Sequence, residues 1–143
     1  MITLETLQKY SFFGGLPEEQ IEKILPLMEL ESYGPDTDII VEGRINDRIY
    51  FLISGDVAVI KGGVSLTRLG EGEIFGEMEV LDVMPSAATI RSLCDVTVMA
   101  ISNKAFREIY KSDIKAFSLM TMNLARDLSR RLRKMNEKAV DGG

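Results

Sequence analysis

Ile49-Tyr50-Phe51-Leu52-Ile53-Ser54-Gly55-Asp56-Val57-Ala58-Val59-Ile60 sets two apolar runs on either side of a Ser-Gly-Asp turn signal. β-Branched and aromatic residues favour strands, and Gly with Asp favours the turn between them. Working outward, Gly34-Pro35-Asp36, Glu42-Gly43, Lys61-Gly62-Gly63, Leu69-Gly70-Glu71-Gly72, Met84-Pro85-Ser86 and Cys94-Asp95 break the chain in the same manner. Val96-Thr97-Val98-Met99-Ala100-Ile101 reads as a further strand. From Tyr33 to Ile101 a break falls roughly every 8–12 residues, the rhythm of an all-β unit built as an antiparallel sandwich or roll.

Both flanks read as helical. Leu4 and Leu7 suggest a short first helix, and Pro17-Glu18-Glu19 opens a second with Ile21, Ile24, Leu25 and Met28 at helical spacing. Proline suits the first turn and acids suit the positive helix end, while Pro26 should kink or end the segment. Gly76-Glu77-Met78-Glu79-Val80-Leu81 reads as a short helix among the strands. Ser102 reads as the N-cap of a helix over 104–110, and a long final helix is expected from about residue 112 to 137. In that helix Thr121, Ala125, Leu128, Leu132 and Met135 step by 4, 3, 4, 3, the seam spacing of a coiled coil. Phe117, Met120 and Leu124 form an adjacent stripe. One stripe docks a helix on its own body, so the second predicts a homodimer through the final helix.

The length of 143 residues suits one domain. With 45% hydrophobic and 27% charged residues the chain has ordinary globular composition. There is no histidine and a single cysteine, Cys94. That excludes an internal disulfide, Ser-His-Asp and Cys-His catalysis, and cysteine- or histidine-ligated zinc; no metal is expected. No apolar run approaches the ~20 residues of a membrane helix, and the first residues lack a basic start followed by an apolar stretch. A cytoplasmic protein with no membrane partner is therefore expected. Net charge is −5, yet residues 126–143 hold six basic and three acidic side chains. Arg126, Arg130, Arg131, Arg133, Lys134 and Lys138 read as solvated helix faces, so no nucleic-acid partner is expected.

Gly70-Glu71-Gly72-Glu73-Ile74-Phe75-Gly76 is one residue too long for a dinucleotide fingerprint, and no phosphate-loop motif occurs. Glu71, Glu73, Glu77, Glu79 and Asp82 gain no second catalytic group, so no enzyme and no catalytic residue is expected. The informative part is Phe75–Leu81 followed by Pro85-Ser86-Ala87-Ala88-Thr89-Ile90-Arg91. Glycine lets backbone approach a ligand, a helix start offers N–H groups to an anion, and the small residues leave space. Glu77 at that helix start suits a ligand hydroxyl beside the anion. A phosphate with an adjacent sugar hydroxyl describes a nucleotide; a tight turn with nothing bound is the alternative.

Through the Ile40–Gly43 turn, Tyr50–Val57, Phe75–Leu81 and Ser86–Arg91, the chain resembles the cyclic nucleotide-binding domain family of catabolite activator proteins, protein kinase A regulatory subunits and cyclic-nucleotide-gated channels. The resemblance implies an eight-stranded antiparallel β-roll, a jelly roll or double-stranded β-helix, with flanking helices. It implies one domain over 1–143, with N-terminal helices over 1–32, the roll over 33–101 and C-terminal helices over 102–143; with the sequence stopping at Asp141-Gly142-Gly143, no DNA-binding domain is expected. It places ligand contacts at Phe75, Gly76, Glu77, Met78, Glu79, Ser86, Ala87, Ala88 and Thr89. Glu77 would accept the ribose 2′-hydroxyl, Gly76 and Met78 would shape the turn at the phosphate, and Ala87 and Ala88 would leave room around it. The ligand implied is cAMP or cGMP, with no other cofactor.

Two positions depart from the family pattern. The arginine that pairs with the cyclic phosphate falls on Ser86, and a small residue is replaced by Glu79. Loss of that charge-assisted bond costs roughly ten- to a hundredfold in affinity. No obvious cation then stands beside Glu77 and Glu79; Arg91 is a candidate to lean in, and on a strand it could equally face out. The expectations are a stand-alone sensor of a cyclic nucleotide or related small anion that signals through its helices to an unnamed output protein, or a degenerate copy acting as a ligand-independent dimer or interaction module.

Overall fold

The computed structural model describes residues 2–142, so Met1 and Gly143, the ends of the expected single domain, lie outside the described residues. The run Ile49–Ile60 forms two strands, β3 (Arg48–Ser54) and β4 (Val57–Lys61), joined at Gly55. Gly55 has φ +89°, and a Cβ there would lie 2.4 Å from the Asp95 carbonyl oxygen, so both the backbone conformation and the packing require glycine.

The other strands are β1 (Glu29–Tyr33), β2 (Asp38–Ile40), β5 (Val64–Leu69), β6 (Ile74–Phe75), β7 (Thr89–Ser92) and β8 (Val96–Ser102). The helices are α1 (Leu4–Gln8), α2 (Glu18–Ile24), α3 (Glu77–Asp82), α4 (Asn103–Ser112) and α5 (Ile114–Gly142). Pro26 ends α2 as expected: the chain passes into a 3₁₀ turn over Leu25–Leu27. Ser102 caps α4, its hydroxyl accepting from the Ala105 amide at 3.0 Å.

All strand pairs are antiparallel and form two four-stranded sheets, ordered β1-β8-β3-β6 and β2-β7-β4-β5. Both sheets are open. The eight-stranded antiparallel β-roll, a jelly roll or double-stranded β-helix, implied by the family resemblance is therefore corrected: there are eight strands, but no hydrogen-bonded ladder joins one sheet to the other among the described residues. The physical reason lies at the sheet edges. β6 has two residues, spent on Tyr50 and Phe51, and β2 has three, with its register broken between Asp38 and Ile40. Neither can carry a ladder round a corner.

The two sheets share one core. Tyr50, Leu52, Phe75, Val96, Val98 and Ala100 of the first sheet pack with Ile40, Val57 and Ile90 of the second. The opposite face of the first sheet, through Ile49, Phe51, Ile74, Met99 and Ile101, packs on Phe12, Phe13, Phe106, Met120 and Leu124 from the helical side. β3 and β8 are thus buried on both faces, which is why they read as continuous apolar runs. β1 begins within the segment expected to be helical: its Glu-Leu-Glu-Ser-Tyr sequence carries little strand signal, and pairing with Val96–Ala100 determines its conformation.

Candidate functional site

The site is assembled from three segments. β6 delivers Phe75, which is buried and stacked on Tyr50 with ring centroids 4.9 Å apart. Phe75 is therefore part of the inter-sheet core. Gly76 follows in the left-handed region at φ +84°, where a Cβ would lie 2.6 Å from the Arg48 carbonyl oxygen. That turn directs Glu77 inward at the start of α3, leaving it only 3% exposed. Met78 is exposed and Glu79 half-buried.

The returning segment places Ser86 in the interior, also at 3% exposure, with its hydroxyl buried and without a hydrogen-bond partner. Ala87 is exposed, and Ala88 and Thr89 are half-buried. The third segment is the loop over 41–47, which the sequence showed only as a turn. Its Gly43 amide donates to the Ser86 carbonyl, and the Ser86 amide donates to the Arg44 carbonyl, both at 2.8 Å. The Glu42 amide donates to the Thr89 hydroxyl at 3.0 Å. From the same loop, Asn46 Nδ2 donates to the Gly76 carbonyl at 3.2 Å and the Arg48 carbonyl at 2.8 Å. One loop therefore tethers both the Gly76 turn and the Ser86–Thr89 segment. The sequence signal for it was Gly43, whose φ is +83°.

A cation does reach Glu77, from an unexpected place. Arg131, on α5, donates from Nη1 to Glu77 Oε1 and from Nη2 to the Ile74 carbonyl oxygen, each at 2.7 Å. The reading of Arg131 as part of a solvated helix face is corrected: its long side chain crosses to a buried carboxylate 54 residues away. Arg91 faces elsewhere, paired with Asp38 at 2.7 Å across the β2–β7 ladder.

Burial pushes the Glu77 carboxyl above the usual carboxylate range; Arg131 opposes this, while Glu79 and Asp127 add to the rise. The native state therefore keeps a proton where the unfolded chain has released it. This group's contribution to stability is full below the ordinary glutamate value of about 4.3 and is lost as pH rises from there through the raised value. Glu77→Gln removes that dependence. Thermal melts should show the variant gaining on the wild type as pH is raised from mildly acidic to neutral, and a constant difference would contradict this assignment.

On α5, Ala116, Met120 and Leu124 are buried in the helix-side core, and Phe117 packs against it. The seam residues are not equivalent: Thr121 is half-buried, Ala125 is exposed, and Leu128 packs partly on the core. Leu132 and Met135 are 58% and 67% exposed. Among the described residues no helix is long and apolar enough to cross a membrane, and no cluster of acids or cysteine could hold a metal.

A family model for the cyclic nucleotide-binding domain matches residues 30–113, from β1 to the start of the final helix. The chain belongs to that family. Domains of this family bind and regulate and are not enzymes. The chain is 33% identical over 127 residues to the cyclic AMP receptor protein of Thermus thermophilus, covering 85% of this chain and 57% of that protein. It is 29% identical over 103 residues to the cAMP-dependent protein kinase regulatory subunit of Hypocrea atroviridis, covering 72% of this chain and 22% of that one. The chain thus spans well under two thirds of either relative. In fold it is similar to a cyclic nucleotide-binding domain from Methylobacillus flagellatus, with TM-score 0.86 and 23% identity over 98% of this chain and 82% of that one. The matched span contains Glu77 and Ser86 but not Arg131, so the carboxylate's partner comes from outside the family segment.

Proposed function

We propose that this domain is a cytoplasmic sensor that binds cAMP or a closely related cyclic nucleotide between α3, the Ser86–Thr89 segment and the 41–47 loop, and passes the signal through α5. The observation that carries the reading is Glu77, a buried carboxylate at a glycine turn facing the interior, in a chain of this family. Glu77 accepts the ribose 2′-hydroxyl, Gly76, Ala87 and Ala88 allow close approach, and Ser86 and Thr89 lie toward the phosphate. Arg131 fixes the Glu77 carboxylate and ties the site to α5, so a ligand that takes over this carboxylate acts directly on the helix that bears the dimer seam. The free thiol of Cys94 fits a reducing compartment.

The dimer forms through α5. Every residue from 132 to 140 is exposed, so this end of the helix has no support from its own body. Helical segments of this length are marginal alone in water, and a second copy paired along Leu132 and Met135 supplies the missing contacts.

A specific observation favours a second reading. Arg131 already occupies Glu77 Oε1, and Ser86 stands where the family has its phosphate arginine, as in a degenerate copy that serves only as an interaction module. Calorimetric titration with cAMP and cGMP separates the two. Saturable binding near one ligand per chain is expected, and absence of heat up to millimolar ligand would leave the interaction module as the better account.

A further inference from the structure

The binding reading above leaves an anion facing a serine and two glutamates, and a count of nearby cations narrows what can neutralise it. Arg48 is spent on Glu29, at 3.1 Å, and on Glu31. Arg91 is spent on Asp38, and Arg131 on Glu77. Arg44, in the loop between β2 and β3, and Lys61, one residue past the Ile60–Thr89 pair, are exposed and make no ion pair among the described residues; of the two, Arg44 is the one hydrogen-bonded to Ser86. Its neighbour Glu42 has its carboxylate held by the Gly62 amide at 3.0 Å.

The backbone places Arg44 directly against the position that lacks the arginine. The amide of Ser86 donates to the Arg44 carbonyl, and the amide of Gly43 returns the bond to the Ser86 carbonyl. This reciprocal pair locks the two residues side by side as firmly as neighbours in a ladder. Beside them is a feature that calls for a ligand atom, the buried Ser86 hydroxyl with no partner. A buried hydroxyl left unpaired is costly, and native structures normally satisfy such groups.

We infer that Arg44 supplies the cation for the cyclic phosphate in place of the arginine missing at Ser86, with the Ser86 hydroxyl donating to the same group. The charge has moved from one segment of this backbone bridge to the other. The arrangement also counters Glu79, because a guanidinium on the far side of the phosphate offsets the nearby carboxylate and binds phosphate oxygens in bidentate fashion. This rests on the reading of the site as a cyclic nucleotide pocket, and its failure is separable from failure of that reading.

The test is a titration of wild type, Arg44→Lys, Arg44→Ala and Arg44→Glu with cAMP, and with adenosine, which lacks the phosphate. Arg44→Ala is expected to weaken cAMP by roughly ten- to a hundredfold. Lysine should fall between wild type and alanine, glutamate should bind worst, and adenosine should be unaffected throughout. Arg44 is exposed, so melting temperatures should stay close to the wild type. Equal cAMP affinity across the series overturns the role of Arg44 and leaves the pocket reading intact. Equal losses for cAMP and adenosine overturn it too, because they mark a structural effect on the loop. A wild type that binds no cAMP overturns both.

Discussion

Leu132→Glu should convert the dimer proposed through α5 to a monomer. In a two-fold pair this residue faces its own copy, so the variant brings two carboxylates together in an apolar seam. Each buried, unpaired charge costs several kcal/mol, and the dimer dissociation constant should rise at least roughly a hundredfold. Leu132 is 58% exposed on its own chain, so the fold should survive. Leu128 is a poorer choice, because it packs partly against the helix-side core and a charge there would also damage the monomer. Sedimentation velocity on wild type and variant would show this as a shift from dimer to monomer. A wild type that is already monomeric at high micromolar concentration would contradict the seam.

Most of the framework was legible in the residues, for a physical reason. β3 and β8 bury both faces, so their apolar runs are unbroken, and Gly55 in the turn after β3 sits where only glycine fits. The short helix at Glu77, the break at Pro26 and the Ser102 cap were legible because each depends on a local signal. What the sequence hid was non-local. Whether eight strands close into a roll depends on which edges find partners, and no local residue pattern encodes that pairing. β1 was concealed because Glu29 and Glu31 suit a loop or helix as well as an edge strand; cross-strand contact with β8 and the Arg48 pairs fix them.

The site was half legible. Gly76 and Glu77 stood out because a glycine and a helix start suit an anion, while a carboxylate there suits a ligand that also carries a hydroxyl. Arg131 did not stand out among six basic residues on one helix. Nothing in its spacing distinguishes it from Arg130 or Arg133, and only the docking angle of α5 selects it. Arg44 was hidden in the same way, since its relation to Ser86 is a backbone bond across 42 residues of chain.

Glu77→Ala should abolish the contact to the ribose and weaken cAMP binding by roughly ten- to a hundredfold. The substitution has a second consequence specific to this chain. It leaves Arg131 with the Ile74 carbonyl alone, so the link between the site and α5 is weakened at the same time. Hydrogen exchange should therefore show faster opening of α5 around Arg131 in the variant, with α4 unchanged. Calorimetry that finds unchanged affinity would place the ligand away from Glu77, and unchanged exchange in α5 would show that the ion pair carries no coupling.

The most direct measurement is a crystal structure of the chain grown with saturating cAMP. The account predicts one nucleotide per protomer, its ribose 2′-hydroxyl on the Glu77 carboxylate and its cyclic phosphate between the Ser86 hydroxyl and the Arg44 guanidinium. A nucleotide bound elsewhere, or a Glu77–Arg131 pair unchanged with no nucleotide beside it, would contradict the account.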